Sequence, residues 1–523
     1  MQQYKTNQQN ANNEENEKEN MDMKSQKFVA GFLDSSDCFI GRNTGKAYIG
    51  WKDGNNVWHN DMVESQLFRA TLRELLEVNV DNKIYSEGEL NKIISHIRDK
   101  ILMLGVKKEV CRRMAYYHGA IYYNLNDTAK KVVVIKPDSW EIVDFSQIVN
   151  KDFAFIATPS MDCQLVAKTK NCQGTLMDLL KPYMNLSEDE QKLLVITIIT
   201  WFIYDIPKPV IILHGGQGSG KTTLSNMIQK IVDPHNHGAF VMPNNKEELS
   251  IALANNYLLT LDNASSLPKD ASDLLCSAVT GASTIKRKLF TDNDVSVVSF
   301  KNCILLNGII INKIKSDLYD RAIMLEMQRL QGSYKSNDAL YQGFEKILPS
   351  IMREIFSTLS KALTVYQDIN SCGNYRMADY AKWGKAISKV LFGDDKDFLD
   401  SYDKNRREVA RSIIEDHPLS IVLKEYLNGL SKFPAEITPA NLLKELTAKA
   451  EKGTNQIRSC DKTADSALDL SYALGDARWP KNPQSLSIGL KKLKENFAEE
   501  GYVIDVGDIK RNGVRYIRFS RSK

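Results

Sequence analysis

The chain has 523 residues, room for about three to five domains at roughly 100 to 200 residues each, which excludes a single small binding module. With 43% hydrophobic and 26% charged residues, 14 Pro and 28 Gly, it is neither collagenous nor disordered throughout. Lys and Arg number 69 against 65 Asp and Glu, and the resulting net charge of +4 identifies neither a nucleic-acid nor a membrane partner by itself.

Residues 1–27, rich in Asn, Gln and Glu with almost no apolar content, read as a disordered tail without a signal-peptide pattern. Residues 28–150 alternate short strand patterns with one helix over 86–104, opened by Ser86 with Glu89 three residues on. This predicts a small α+β domain, and its isolated histidines, His59, His96 and His118, are assigned no chemistry. The eight cysteines form no CxxC pair, which argues against a zinc module and fits reduced thiols in a cytosol. Residues 151–205 read as a helical connector whose second helix opens at Ser187 with Glu190 three residues on. The longest uncharged apolar run, Leu193 to Tyr204, is too short to span a membrane and predicts a buried helix.

Residues 206–330 carry the strongest signal. KPVIILHGGQGSGKTTLSNMIQKIVDP (208–234) is an apolar strand, a glycine-rich turn and a helix, and Gly215, Gly220, Lys221 and Thr222 satisfy the P-loop pattern in that context. The loop Gly215, Gly216, Gln217, Gly218, Ser219, Gly220 with Lys221, Thr222 and Thr223 is expected to bind ATP. Backbone N–H groups and the helix dipole would face the phosphates, Lys221 would neutralise them and the Thr222 hydroxyl would ligate magnesium. Further strands follow in order: 239–245, 256–265 ending at Asp262 and Asn263, one ending at Asn307, and one after Arg321. Asp262 is placed to hold magnesium through water. The Asn307 amide can orient an attacking water, and Arg321 is suited to reach a neighbouring subunit's nucleotide. Plainer readings stay open: a strand-end turn for Asn307 and a salt-bridge partner for Arg321.

HGGQGSGKTT (214–223), LLTLDNASSLPKDASDLLCSAVTGAS (258–283), KRKLFTDND (286–294), ILLNGI (304–309), DLYDRAIMLEM (317–327) and RMADYAKWGKA (376–386) together resemble the AAA+ ATPases. More narrowly they resemble the superfamily 3 and MCM-like helicases of phages and mobile elements, in particular those of staphylococcal chromosome cassettes and related islands. The resemblance implies an α/β core with a parallel sheet of order 5-1-4-3-2, ATP and Mg2+ as cofactors, a hexameric ring, and a bacterial cytoplasmic setting. It also implies a hairpin in the central channel, which puts Lys286, Arg287 and Lys288 on the phosphate backbone of single-stranded DNA. A solvated edge strand is the plainer alternative. Many AAA+ proteins carry a glutamate after the Walker B aspartate; Asn263 stands there instead and cannot accept a proton, so hydrolysis would use Asp262 or another acid, or rest on positioning.

Residues 331–415 read as a helical lid, with Arg376 a candidate second sensor. Residues 416–523 read as three helices and a β hairpin, a winged-helix module. Lys491, Lys492 and Lys494 on its third helix and Lys510, Arg511 and Arg515 on its wing would engage duplex DNA, protein docking being the alternative. Residues 481–523 hold ten Lys or Arg against five acids, a net of +5, so the rest of the chain sums to −1. The whole points to an ATP-dependent DNA helicase or replication initiator of a mobile element, needing a separate primase and polymerase. The alternative is an ATP-switched DNA-binding scaffold or loader without unwinding activity.

Overall fold

The computed structural model describes residues 23–81, 84–148, 151–167, 174–264, 267–281, 283–287, 295–299, 301–308, 316–329, 336–370, 372, 375–457, 472–476, 478–511 and 514–521. Most of the expected tail, 1–27, lies outside these residues.

Strands β1 (Asp37–Gly41), β2 (Ala47–Lys52), β3 (Trp58–Met62) and β4 (Lys107–Cys111) build the first sheet. The helices Gln66–Leu76 and Glu87–Leu104 bury Phe68, Leu72, Ile94 and Ile97 in one cluster with Trp51 of β2. Ser86 caps the second helix as its sequence predicts, its backbone N–H donating to Glu89 at 2.9 Å.

A meander follows, β5 (Met114–Tyr117), β6 (Ala120–Asn124), β7 (Lys131–Lys136) and β8 (Ser139–Asp144), in the order β5-β6-β7-β8. Both of its faces are covered, so the alternation along each strand feeds two separate cores. Met114, Ile121, Tyr123, Val133 and Ile135 join the core of the rest of the molecule, while Ala115, Tyr122, Val132 and Val134 pack with Phe145 and Phe153. Trp140 of β8 donates to Ser357 Oγ on the long helix Asn337–Asp368 at 3.1 Å. Strand β9 (Phe153–Phe155) then returns to the first sheet, completing the order β3-β2-β1-β4-β9. The boundary expected at residue 150 is therefore not a packing boundary: a strand of the expected helical connector closes the first sheet, and the meander shares its core with the following segments. Its second helix, Glu188–Thr200, is buried on every side from Leu193 to Thr200.

The central sheet contains β10 (Val210–His214), β11 (Phe240–Val241), β12 (Leu258–Asp262), β15 (Cys303–Asn307) and β16 (Ala322–Glu326). All its pairings are parallel and the order is β11-β12-β15-β10-β16, which counted along the chain is 5-1-4-3-2. Val210–Leu213, Leu258–Leu261 and Cys303–Leu306 are buried without interruption, as strands covered on both faces require. Each of these runs ends on a polar residue, so His214, Asp262 and Asn307 gather at one edge of the sheet. Between the helix Lys269–Thr280 and β15, β13 (Ser283–Arg287) pairs antiparallel with β14 (Val295–Ser299).

The helices Asn337–Asp368, Ala378–Phe392 and Lys396–Asp416 follow. The C-terminal unit has the helices Pro418–Asn428, Pro439–Ile457 and Pro483–Glu499 with β17 (Ala435–Ile437), β18 (Tyr502–Arg511) and β19 (Val514–Arg521) in the order β17-β19-β18. Strand β17, between the first two of these helices, is an addition to the expected hairpin. No helix among the described residues is long and apolar enough to cross a membrane.

Candidate nucleotide and nucleic-acid sites

The loop between β10 and the helix Lys221–Val232 is curled by its glycines. Gly215, Gly218 and Gly220 have φ of 136°, 76° and 85°, values that L side chains rarely adopt. At Gly215 the constraint is also steric, because a Cβ there would lie 2.4 Å from the Met327 carbonyl oxygen just past β16. Gly216, Gln217 and Gly218 are exposed, whereas Ser219 is buried and donates to the Gly216 carbonyl at 2.9 Å.

Lys221 Nζ donates to the Gly215 and Gly216 carbonyls at 2.9 and 2.7 Å and to Ser219 Oγ at 3.2 Å. Partial burial lowers its pKa, with Asp262 opposing that shift. The Thr222 hydroxyl lies 3.3 and 3.4 Å from the two Asp262 carboxylate oxygens. The P-loop helix and the end of β12 thus place a hydroxyl beside a carboxylate, next to a lysine bonded only to neutral oxygens. Thr223 is half-buried on the same turn. This donor set fits a magnesium-bound triphosphate: the curled loop supplies N–H groups, Lys221 a cation, and Thr222 and Asp262 hard oxygen ligands.

Asn307 is buried, at 1% exposure, and both ends of its amide are committed. Its Oδ1 accepts from the Asn263 backbone N–H at 2.9 Å and its Nδ2 donates to Ser225 Oγ at 3.1 Å. Asn263 is exposed and holds a left-handed φ of 54°, which Asn tolerates better than most residues. In this arrangement Asn307 braces the turn after Asp262 rather than presenting a free amide. Ser225 stands one helical turn beyond Thr222, and the only signal for it in the sequence is that i+3 spacing from a residue expected to ligate magnesium.

Arg321 is also tied within its own chain. Its side chain is 14% exposed and pairs with Asp317 at 2.5 Å, and Arg376 bridges Asp317 at 2.6 Å and Asp320 at 2.9 Å. The two candidate arginines therefore share one carboxylate. The plainer reading of Arg321 as a salt-bridge partner describes its contacts within this chain.

A second charged cluster lies at the far end of the P-loop helix. Asp233, 1% exposed, accepts from Arg113 Nε, His235 Nε2 and the backbone N–H groups of Tyr257 and Leu258, at 2.9, 2.9, 2.9 and 3.1 Å. Burial alone would raise its pKa, but His235 and Arg113 outweigh that and hold it at about 2. Arg113, fully buried, also donates to the carbonyls of Asn124, Asp162 and Pro234.

Of the expected DNA-contacting residues, Lys286 and Arg287 lie on β13, paired with Ser296 and Val295. Lys288 and the TDND turn lie outside the described residues. Lys491, Lys492 and Lys494 are exposed on the helix Pro483–Glu499, whose opposite face buries Leu486, Leu490, Leu493 and Phe497. Arg515 is exposed on β19, while Lys510 and Arg511 fall at the end of β18 with side chains outside the description.

Residues 177–393, from ahead of β10 to just past the helix Ala378–Phe392, match the family model described as actinomycete integrative conjugative element replication protein. The matched segment contains Lys221, Asp262, Asn307 and Arg321. No curated protein matches the chain by sequence. Among solved structures, the apo C-terminal region (305–718) of NrS-1 is 13% identical, covering 95% of this chain and 98% of that one, with a TM-score of 0.36. An A-form apo structure of the NrS-1 C-terminal region is 12% identical at the same coverage, with a TM-score of 0.37. Over the segment that holds the candidate nucleotide site, the chain is thus similar to replication proteins of mobile elements of the integrative conjugative kind.

Proposed function

We propose that this chain is an ATP-driven replication protein of a mobile genetic element, an AAA+ motor of the superfamily 3 kind that acts as a DNA helicase or replication initiator. The observation that carries the reading is the meeting of Thr222 with Asp262 beside Lys221, at the carboxyl edge of a parallel sheet of order 5-1-4-3-2. Magnesium, when bound there with ATP, supplies charge neutralisation and Lewis acidity at the phosphates. The chain's own residues then have separate tasks. The loop N–H groups and Lys221 hold phosphate oxygens, Thr222 and Asp262 hold the ion, and Asn307 keeps the turn at Asn263 in place beside them. With no carboxylate at position 263, water activation falls to Asp262, to another acid or to positioning.

The β13–β14 hairpin, inserted between the helix after Asp262 and the strand of Asn307, supports a DNA-tracking element carrying Lys286 and Arg287. The C-terminal unit, with three helices, a three-stranded antiparallel sheet and exposed lysines on its third helix, supports a winged helix that grips duplex phosphates. A ring of subunits, most simply a hexamer, would free Arg321 from Asp317 to act across an interface; primase and polymerase would be separate proteins, in a bacterial cytoplasm. Asn263 favours a second reading, an ATP-switched scaffold or loader on DNA.

A forked-duplex unwinding assay with ATP and Mg2+, beside Lys221→Ala and a measurement of assembly mass, tests both. ATP-dependent strand separation by an oligomer, abolished in the variant, is the expected result. DNA binding that responds to ATP without strand separation would select the scaffold, and normal turnover by Lys221→Ala would overturn the site.

A further inference from the structure

A cavity of about 360 Å3 lies between the β1–β2 turn, the end of β4, the helix Lys246–Asn255 and the residues just before β12 and β15. Its lining includes Lys46, Arg112 and Lys301 and, among the described residues, no Asp or Glu. Arg112 is the unusual member. Its guanidinium donates only to carbonyls, Nε and Nη2 to Ala254 at 3.4 and 3.3 Å and Nη1 to Ile156 at 3.1 Å. No carboxylate among the described residues lies within ion-pair reach of it, in contrast to its neighbour Arg113. Burial lowers its pKa, and the more distant charges of Asp61 and Asp233 offset this only in part. Three of its five N–H groups are used, leaving two for a ligand. Lys46 is exposed on the β1–β2 turn. Lys301 pairs at the rim with Asp205, which is 64% exposed, and such exposed pairs exchange at little cost.

The floor is firm, because Asn302 Nδ2 donates to the carbonyls of Leu253 and Asn256 at 2.9 and 2.6 Å. Its place in the fold suggests what the cavity is for. Tyr257 and Asn302 stand at the amino ends of β12 and β15, whose carboxyl ends carry Asp262 and Asn307. Lys301 leads directly from the β13–β14 hairpin into β15. The cavity therefore sits at the root of the hairpin, on the order of 15 Å along the same two strands from the nucleotide site.

Resting on the motor reading above, we propose that this cleft holds a backbone phosphate of a single DNA strand, gripped by Lys46, Arg112 and Lys301. Arg112, with two spare N–H groups, and Lys301, whose exposed partner Asp205 can be exchanged, select an anion, the exposed Lys46 and the open rim admit a polymer, and the hairpin root supplies the path. Phosphate held there bears on the amino ends of the strands that position Asp262 and Asn307, so occupancy should stimulate ATP hydrolysis.

The test is fluorescence anisotropy of a labelled oligo-dT over a salt series on the full chain, with DNA-stimulated ATPase measured in parallel. Lys46→Glu, at an exposed turn, should keep the wild-type melting temperature. It should weaken binding about five- to tenfold, lower the salt slope by about 0.7 or more, and reduce stimulation while sparing basal turnover. Adding Arg112→Gln should deepen each effect. Wild-type binding with unchanged affinity, slope and stimulation in the double variant would overturn the cleft alone. A wild-type chain with no affinity for the strand would overturn the motor reading with it. Inorganic phosphate raising the wild-type but not the Lys46→Glu melting temperature, while oligo-dT binds both equally, would make this a free-anion site and sink the strand proposal.

Discussion

Two aspartates flank the P-loop helix, and they are opposites. Asp233 at its end is enclosed and accepts four hydrogen bonds from Arg113, His235, Tyr257 and Leu258. Asp262, facing the helix start, is partly exposed, and among the described residues its side chain is hydrogen-bonded only by the Thr222 hydroxyl, at 3.3 to 3.4 Å. The cations differ in the same way: Arg113 meets a carboxylate and three carbonyls, whereas Lys221 rests on loop carbonyls and a hydroxyl. A buried charge with every partner in place holds structure, since each lost partner leaves desolvation uncompensated. A charge at an open edge, held on weak neutral partners, can exchange them for a ligand.

The sharpest way to break the comparison is Arg113→Met. It strands Asp233 in the interior and should destabilise the fold by about 3–5 kcal/mol, read by denaturant unfolding. A loss under about 1 kcal/mol would mean that Asp233 is not the structural member of the pair. Lys221→Ala should do the reverse, lowering ATP turnover by on the order of 10² to 10³ with the melting temperature nearly unchanged. The third test is acid. Because the folded pKa of Asp233 is depressed from the ordinary 3.8 to about 2, its stabilisation is present above pH 3.8 and is lost as pH falls through about 2. That amounts to roughly 2 kcal/mol across this window, and an Asp233→Asn chain should show a flatter stability profile between pH 4 and 2. The smallest effect is expected for Ser225→Ala, which removes the acceptor of the buried Asn307 amide. It should cost about 1 kcal/mol of stability and lower kcat more than it changes KM for ATP, because the turn at Asn263 loosens. An unchanged kcat would remove Ser225 from the positioning of the site.

Legibility in the sequence followed the range of the interactions. Ser86 with Glu89 and Ser187 with Glu190 are helix starts written within four residues, and both are present. The P-loop is equally local, since Gly215, Gly218 and Gly220 meet a backbone demand that neighbours in the chain impose. The fates of Arg321 and Arg376 were not legible, because both turn on Asp317, and an arginine's pattern in sequence does not say which of several carboxylates it will reach. Arg112 and Arg113 make the same point more sharply. They are adjacent in the bend between β4 and β5, yet among the described residues Arg113 meets a carboxylate and Arg112 meets only carbonyls, because the fold brings Asp233 to one and the Ala254 and Ile156 carbonyls to the other. Strands β9 and β17, three residues each, were missed because so short a run carries no periodicity.

By itself the sequence determined the parts whose physics is local: the caps, the buried apolar helix, the glycine loop with Lys221 and Thr222, and the succession of strands ending in Asp262 and Asn307. Only the tertiary structure decided which charges are compensated. It carried Asp233 to Arg113 across 120 residues, brought Asp262 to Thr222 across 40, and left Arg112, beside the amino end of β12, with no carboxylate in ion-pair reach among the described residues. The reason is that a charge's free energy depends on its burial and on its partners, and both are set by contacts distant in the chain.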